Sequence, residues 1–208
     1  MAHDFAAFLD LTDKPCLVIG AGPLAGPKVE ALLRARARVT VLAPALDEHL
    51  DTARFAWIAR DYQPGDLRGY FLAIAARDDT TRNAEIFAEG EATGVLVNCH
   101  DDPKHSRFIF PALHRQGRLT VAISTDGACP ALAVRMRNRI AAEAGAEYAE
   151  FLEMMAAMRD RIAKLEPDFE RRRRLWYALV DSPALALLRD GRSGEARAAI
   201  DAILDSVS

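Results

Sequence analysis

The sequence predicts an α/β protein in which a parallel β-sheet domain is followed by a small segment and a C-terminal helical region. In the first half, short apolar runs without polar alternation are separated by helical patterns, as in a parallel sheet covered by helices. From Ala131 onward only helical patterns occur, with breaks near Gly145, Pro167, Pro183 and Gly191–Gly194. We therefore expect three parts, at residues 1–113, 114–145 and 146–208.

The predicted elements alternate regularly through the first part. The expected strands are 16–20, 39–43, a weaker 53–60, 70–76 and 95–98. The expected helices between them are 23–36 and 80–93, and Gly94 ends the second one. Beyond the sheet, the pattern predicts a short helix over 108–115 and one more strand over 119–124.

Composition excludes several classes of protein. The 208 residues have a formal net charge of −3, so no global positive field attracts nucleic acid or an anionic membrane. No apolar run is long enough to span a bilayer, and the chain does not begin like a secretory signal. Cys16, Cys99 and Cys129 form no CxxC pair. We therefore expect reduced thiols in a cytoplasmic protein rather than disulfides or structural zinc.

A glycine-rich loop, residues 20–25 (GAGPLA), follows the first expected strand and opens the first expected helix. Strand, G-x-G-x-x-A and helix in this order predict a dinucleotide-binding, Rossmann-like domain. Gly20 allows the tight turn, Gly22 lets the pyrophosphate approach the backbone, and Ala25 allows close helix–strand packing. Pro23 suits the first helical position because it has no N–H, and the helix N-terminus favours the anionic phosphates.

The acid that usually binds the ribose hydroxyls after the second strand is missing here. That strand runs into Ala43 and Pro44, and the first acid is Asp47. No basic residue is present there to bind a 2′-phosphate, so we expect NAD rather than NADP, with ribose contacts from backbone around Ala43 and Pro44. The residues expected to bind the cofactor are Gly20, Gly22, Pro23, Leu24, Ala25, Ala43, Pro44, Ala76 and Asn98.

Four blocks of sequence resemble the siroheme synthase N-terminal module, in that family's order and at about its spacing. They are 16–28 (CLVIGAG, then Ala25 and Lys28), 72–83 (LAIAARDD, then Asn83), 97–111 (VNCHDDPK, then FIFP) and 121–133 (VAISTDGACPALA). A later segment, 170–176 (ERRRRLW), resembles the family's basic segment ahead of an aromatic residue. The resemblance covers nearly the whole chain.

This resemblance implies NAD-dependent oxidation of precorrin-2 to sirohydrochlorin in siroheme biosynthesis. Some members of the family also insert ferrous iron to give siroheme, and the sequence leaves that second activity open. Members are homodimers in which the segment after the Rossmann domain builds the dimer, so we interpret 114–145 as a dimerisation segment. The family's fused methyltransferase domain is not expected in a chain that stops at Ser208.

Asp101 is the candidate catalytic residue. It comes just after the expected strand 95–98, where ligands of open α/β sheets bind, and it aligns with the family's functional aspartate. We expect a general base, or a transient contact for the metal during chelation; the alternative is a carboxylate that caps the helix after Pro103. His100, Asp102 and His105 share this loop, but no recognised ligand spacing is present, so no stably bound metal is expected.

Ser124, Thr125 and His114 are the candidate substrate-binding residues. The two hydroxyls follow a strand and suit substrate carboxylates, although local turn hydrogen bonds are an equal alternative from the residues alone. His114 is expected to face the same cleft from the helix over 108–115, against the alternative of a partly exposed surface group. The arginine run 171–174 suits a substrate rich in carboxylates, or else forms a solvated helix face.

Two other classes of function stay open at this point. The glycine loop is shared with other NAD(P)-dependent oxidoreductases that act on small substrates. A non-catalytic module that binds NAD or a tetrapyrrole would also share it, although the presence of Asp101 argues against that class.

Overall fold

A computed structural model describes residues 5–77 and 79–206. The chain divides into two compact units, which meet in sequence between Phe110 and Pro111. Within the described ranges, no helix combines the length and the apolarity that crossing a bilayer requires.

The first unit is built on a five-stranded parallel sheet of strand order β3-β2-β1-β4-β5. Its strands are β1 (Pro15–Ile19), β2 (Arg38–Leu42), β3 (Ala56–Ile58), β4 (Leu72–Ala75) and β5 (Leu96–Cys99). Its helices are α1 (Ala25–Arg34) and α2 (Asn83–Thr93), and Gly94 ends α2 in a left-handed conformation at φ 76°. The predicted parallel α/β sheet is therefore confirmed, with boundaries shifted by a few residues.

The chain order creates a switch point beside β1. After β1 the chain moves outward to β2 and β3, then returns to place β4 on the other side of β1. Ile19 lies opposite both Leu42 and Ala75, so these three strands end at the same level. Ligands of open parallel sheets bind at such an edge, outside the carboxyl ends of the strands.

Apolar side chains cover both faces of the sheet. Val18 and Ile74 belong to a cluster with Val29 of α1, whereas Leu17 belongs to a second cluster with Ile86 of α2. Alternate residues of each strand thus enter opposite layers, which is why the strand sequences show no polar alternation. Each fully buried side chain of this size contributes about 1.5–3 kcal/mol of transfer free energy.

The second unit begins with an antiparallel hairpin of β6 (Ala112–Gln116) and β7 (Leu119–Ile123). The strand expected over 119–124 is confirmed, but the helix expected over 108–115 is wrong. Gly117 occupies the first position of a two-residue loop with φ 57°, and a glycine there favours a tight hairpin. The five residues before it pair with β7 and cannot form a helix.

Among the residues that the structure describes, five helices follow the hairpin, as the helical patterns predicted. They are α3 (Pro130–Glu143), α4 (Ala146–Leu165), α5 (Phe169–Val180), α6 (Ala184–Arg189) and α7 (Ser193–Asp205). Breaks fall near Gly145, Pro167, Pro183 and Gly191, where they were predicted. Ile162 of α4 packs in one buried cluster with Leu179 of α5 and Ile200 of α7.

Candidate functional site

The glycine loop leaves β1 in a conformation that only glycine adopts readily. Gly20 has φ 107°, and a Cβ built there would lie 2.6 Å from the carbonyl oxygen of Ala76. The N–H of Gly20 donates to the Leu42 carbonyl at 2.9 Å, which fixes the loop against the end of β2. A Cβ on Gly22, in contrast, would have no atom within 4 Å, so open space faces this residue. These are the two roles assigned to the glycines of the fingerprint.

The loop leads into α1 without a side-chain cap, although the Ala25 N–H donates to the Gly22 carbonyl at 2.9 Å. Leu24 is the N-cap residue, it makes no side-chain cap hydrogen bond, and the first turn holds no acidic residue. A helix start of this kind favours an anion such as a pyrophosphate. Pro23 lies two residues before α1 instead of at its first position, and buried Ala25 begins the helix.

A cavity of about 360 Å³ lies at this edge of the sheet. Seven of the nine residues expected to bind the cofactor line it: Gly20, Gly22, Pro23, Leu24, Ala43, Pro44 and Ala76. Ala25 supports it from the buried side of α1. The Asn98 side chain instead donates to the Phe108 carbonyl at 2.8 Å, so its contact with a cofactor stays a prediction. The open glycine face and the uncapped helix start fit the diphosphate of a dinucleotide.

Two charged residues that sequence reasoning did not single out also line the cavity. Asp61 follows β3, Arg77 follows β4, and the Arg77 Nη1 lies 3.3 Å from the Asp61 Oδ1. Both come directly after an expected strand, which is the one local signal that could have indicated them. Their proximity depends on the strand order, which places β3 and β4 on opposite sides of the β2–β1 pair.

Asp101 lies in the loop after β5, at the same edge of the sheet. It is exposed and holds a left-handed conformation at φ 53°, which is uncommon for a residue other than glycine. Among the described residues, none donates a hydrogen bond to its carboxylate. The N–H of His100 donates to the Ala75 carbonyl at 2.9 Å, so the start of this loop is held against β4. Strained, exposed polar residues of this kind are concentrated at functional sites.

The capping alternative for Asp101 is not supported. A single 3₁₀ turn, Pro103–His105, follows this residue, and the N-cap position belongs to Asp102. No side-chain hydrogen bond caps that turn. Among the described residues, the Asp101 carboxylate therefore makes no hydrogen bond that would stabilise the loop.

Asp102, in contrast, stabilises this loop through its hydrogen bonds. Its Oδ2 lies 2.7 Å from the His105 Nδ1 and accepts a hydrogen bond from the buried Asn83 amide at 3.1 Å. The hydrogen bond with His105 is the chief reason why the pKa of Asp102 is lowered, and burial partly opposes it. The Ser106 hydroxyl donates to the Asp102 carbonyl at 2.8 Å. These contacts brace the loop that presents Asp101.

The candidate substrate-binding residues lie in the second unit and make hydrogen bonds within it. The Ser124 Oγ accepts from the Asp126 N–H at 3.1 Å, and the Thr125 Oγ1 accepts from the Cys129 N–H at 3.2 Å. His114 lies on β6 instead of the expected helix, and its Nε2 is 3.2 Å from the Ala144 carbonyl oxygen. Their contact with a substrate stays a prediction.

Comparison with protein families covers nearly the whole chain. The family described as "Putative NAD(P)-binding" matches residues 7–112, "Sirohaem biosynthesis protein central" matches 116–143, and "Sirohaem synthase dimerisation region" matches 147–204. The chain belongs to the siroheme synthase N-terminal module family. Its first unit is accordingly an NAD(P)-binding domain.

Curated relatives and a solved structure agree with this membership. Siroheme synthase of Thioalkalivibrio sulfidiphilus is 34% identical over 206 residues, which is 97% of this chain and 42% of the relative. Siroheme synthase of Chromobacterium violaceum is 34% identical over 201 residues, or 95% of this chain and 43% of the relative. The chain thus spans about two-fifths of these relatives' length.

The structure of "SirC, precorrin-2 dehydrogenase" matches with a TM-score of 0.74 and 23% identity, over 95% of this chain and 99% of that one. This likeness shows that the two proteins share a fold. The family's dimerisation region matches residues 147–204. The segment that we interpreted from sequence as the dimerisation segment, 114–145, instead largely coincides with the family's central region at 116–143. The three-part division itself stays a prediction.

Proposed function

We propose that this siroheme synthase module oxidises precorrin-2 to sirohydrochlorin with NAD in siroheme biosynthesis. One observation carries the proposal: a dinucleotide-fitted cavity and an exposed carboxylate without a structural partner, Asp101, lie at the same edge of one parallel sheet. The curated relatives named siroheme synthase and the related fold named precorrin-2 dehydrogenase support this choice over other small-molecule oxidoreductases.

The reaction removes one hydride and one proton from precorrin-2. A bound nicotinamide supplies the hydride acceptor, so the protein must orient the substrate and accept the proton. Asp101 serves as the general base because its carboxylate is exposed and receives no hydrogen bond from any described residue. Asp102, held by His105 and Asn83, keeps the loop in the conformation that presents Asp101. A non-catalytic binding module would not need an exposed carboxylate in a loop that is held in this way.

Ferrous iron insertion is a second activity that the same carboxylate supports. An exposed carboxylate is an acceptable transient contact for a divalent cation that must afterwards be released into the product. Adding cobaltous ion to enzymatically formed sirohydrochlorin, with and without the protein, tests this activity. Insertion at the spontaneous rate would reject it.

The cofactor is proposed to be NAD rather than NADP. Among the described residues that line the cavity, Arg77 is the one cation, and it lies against Gly20 of the loop expected to hold the diphosphate. No further positive side chain there is available to a 2′-phosphate. The partners are precorrin-2 and sirohydrochlorin, and ferrous iron where insertion occurs.

A homodimer is proposed because α3 exposes large apolar side chains and the sirohaem synthase dimerisation region matches 147–204. Leu132 and Met136 share one face of α3 and are 48% and 46% exposed, and Val134, 42% exposed, lies on another face. Exposed apolar side chains of this size favour contact with a second copy of the chain. The cytoplasm is the proposed compartment because Cys16, Cys99 and Cys129 are free thiols.

The role of Asp101 is tested with Asp101→Asn, since asparagine also tolerates the left-handed backbone. We expect loss of precorrin-2 turnover with NADH binding unchanged. The matched control is Asp13→Asn, because Asp13 is likewise exposed with φ 58° but belongs to the chain before β1. Normal turnover by Asp101→Asn would rule out its role as the base.

A further inference from the structure

The Asp61–Arg77 pair lines the cavity, and Arg77 lies beside the glycine loop. A Cβ on Gly20 would lie 2.9 Å from the Arg77 Cγ, so the arginine stem runs against the loop. From there its guanidinium reaches the carboxylate of Asp61 beyond β3. Among the described lining residues, these two are the only ones that carry a charge.

Part of the backbone at the end of β2, where the sequence predicts ribose contacts, is already hydrogen-bonded within the sheet domain. The N–H of Ala43 donates to the Ile58 carbonyl at 3.2 Å, and the carbonyl of Ala43 accepts from the Trp57 indole at 2.9 Å. Pro44 has no N–H to donate. A ribose needs an acceptor for its hydroxyl protons, and Asp61 is the carboxylate that lines the cavity on this side.

The backbone around Asp61 is held on both sides. Arg60 forms a two-pronged pair with Asp66, each contact at 2.7 Å. Tyr62 is 1% exposed, its hydroxyl donates to Glu89, and its carbonyl accepts from Arg82 at 2.6 Å. The backbone that carries the Asp61 side chain is thus held in advance, which lowers the entropic cost of binding a ligand.

The ion pair itself is easily opened. The Asp61 side chain is 60% exposed and meets Arg77 through a single contact at 3.3 Å. Exposed ion pairs of this kind contribute little to stability, so a ligand that offers both a hydroxyl donor and a phosphate can replace them. The cofactor's ribose and diphosphate have this combination.

We propose that Asp61 accepts hydrogen bonds from the adenosine ribose hydroxyls and that Arg77 pairs with the cofactor diphosphate, so that Asp61 selects NAD over NADP. The selection has a repulsive part, because a 2′-phosphate would meet the carboxylate. This inference deepens the proposed function and rests on its cofactor.

The test is a titration of the full chain with NADH and with NADPH, followed by cofactor fluorescence. Asp61→Asn should weaken NADH binding about tenfold, as loss of a charged hydrogen-bond acceptor does, and should leave NADPH binding unchanged or stronger. Arg77→Met should weaken both cofactors by the same factor and leave their ratio unchanged. Thermal unfolding without cofactor verifies that each variant is folded.

The matched control is Asp47→Asn. Asp47 is the first acid after β2, but it does not line the cavity, and its carboxylate accepts from the His49 N–H at 3.0 Å. An unchanged NADH/NADPH ratio in Asp61→Asn, or a wild-type preference for NADPH, would overturn the inference. Asp61-dependent NADH binding without precorrin-2 oxidation would instead refute the proposed reaction and leave the inference intact.

Discussion

Substitution of Gly20 by alanine tests the physical basis of the glycine loop most sharply. The backbone at φ 107° is costly for any residue with a side chain, by about 1–3 kcal/mol. The new Cβ would also meet the Ala76 carbonyl at 2.6 Å, and β4, which pairs with β1 up to Ala75, would have to shift. We expect a loss of at least about 2 kcal/mol in the free energy of unfolding, or roughly 10 °C in Tm for a unit of this size.

Gly22→Ala is the matched control in the same loop. Its φ is not in the left-handed region, and nothing lies within 4 Å of the new Cβ, so the free energy of unfolding should change by less than about 1 kcal/mol. The methyl group nevertheless projects beside the cavity and should weaken NADH binding about tenfold by blocking close approach of the diphosphate.

The assay combines thermal unfolding by circular dichroism without cofactor and titration with NADH. Gly20→Ala should lower Tm, whereas Gly22→Ala should keep Tm and lose affinity. Equal Tm values for the two variants would refute the assignment of separate conformational and binding roles. Unchanged NADH affinity in Gly22→Ala would refute the location of the diphosphate.

Two further predictions concern stability. The Arg189 guanidinium contacts Glu147, whose side chain is 9% exposed, so Arg189→Met should lower Tm by a few degrees. The control is Arg192→Met, which breaks an exposed ion pair and should leave Tm unchanged. Equal effects of the two substitutions in thermal unfolding would contradict this prediction. The pKa of Asp102 is lowered mainly by the hydrogen bond with His105. The ionised Asp102 carboxylate therefore stabilises the fold above the pKa of about 3.9 that it has in the unfolded chain, and this stabilisation is lost as pH falls through the lower pKa of the folded state. The Tm advantage of the wild type over Asp102→Asn should accordingly shrink below about pH 4, and a constant advantage down to about pH 2 would refute the linkage.

The sheet could be predicted from the sequence because its signals are local. Runs such as 16–20 are buried on both faces and therefore apolar throughout, and Gly94 ends its helix through its own backbone freedom. The hairpin was missed because the spacing of apolar residues over 108–115 fits a helix as well as a strand. Gly117, the residue that decides between them, lies outside that window.

The candidate site was only partly predictable for the same reason. The glycine loop is recognisable from one short stretch of sequence, so Gly20 and Gly22 could be assigned in advance. Asp61 and Arg77, in contrast, come from β3 and β4, and their pairing depends on a strand order that no local pattern specifies. The engagement of the Ala43 carbonyl by Trp57 is equally non-local.

We propose that this chain transfers a hydride from precorrin-2 to NAD with Asp101 as the base. The most direct measurement is anaerobic incubation of the full chain with precorrin-2 and NAD, following NADH formation and the tetrapyrrole spectrum together. We predict one NADH for each sirohydrochlorin formed, with both signals lost in Asp101→Asn and retained in Asp13→Asn. A protein that binds NADH but forms none from precorrin-2 would contradict the proposed reaction.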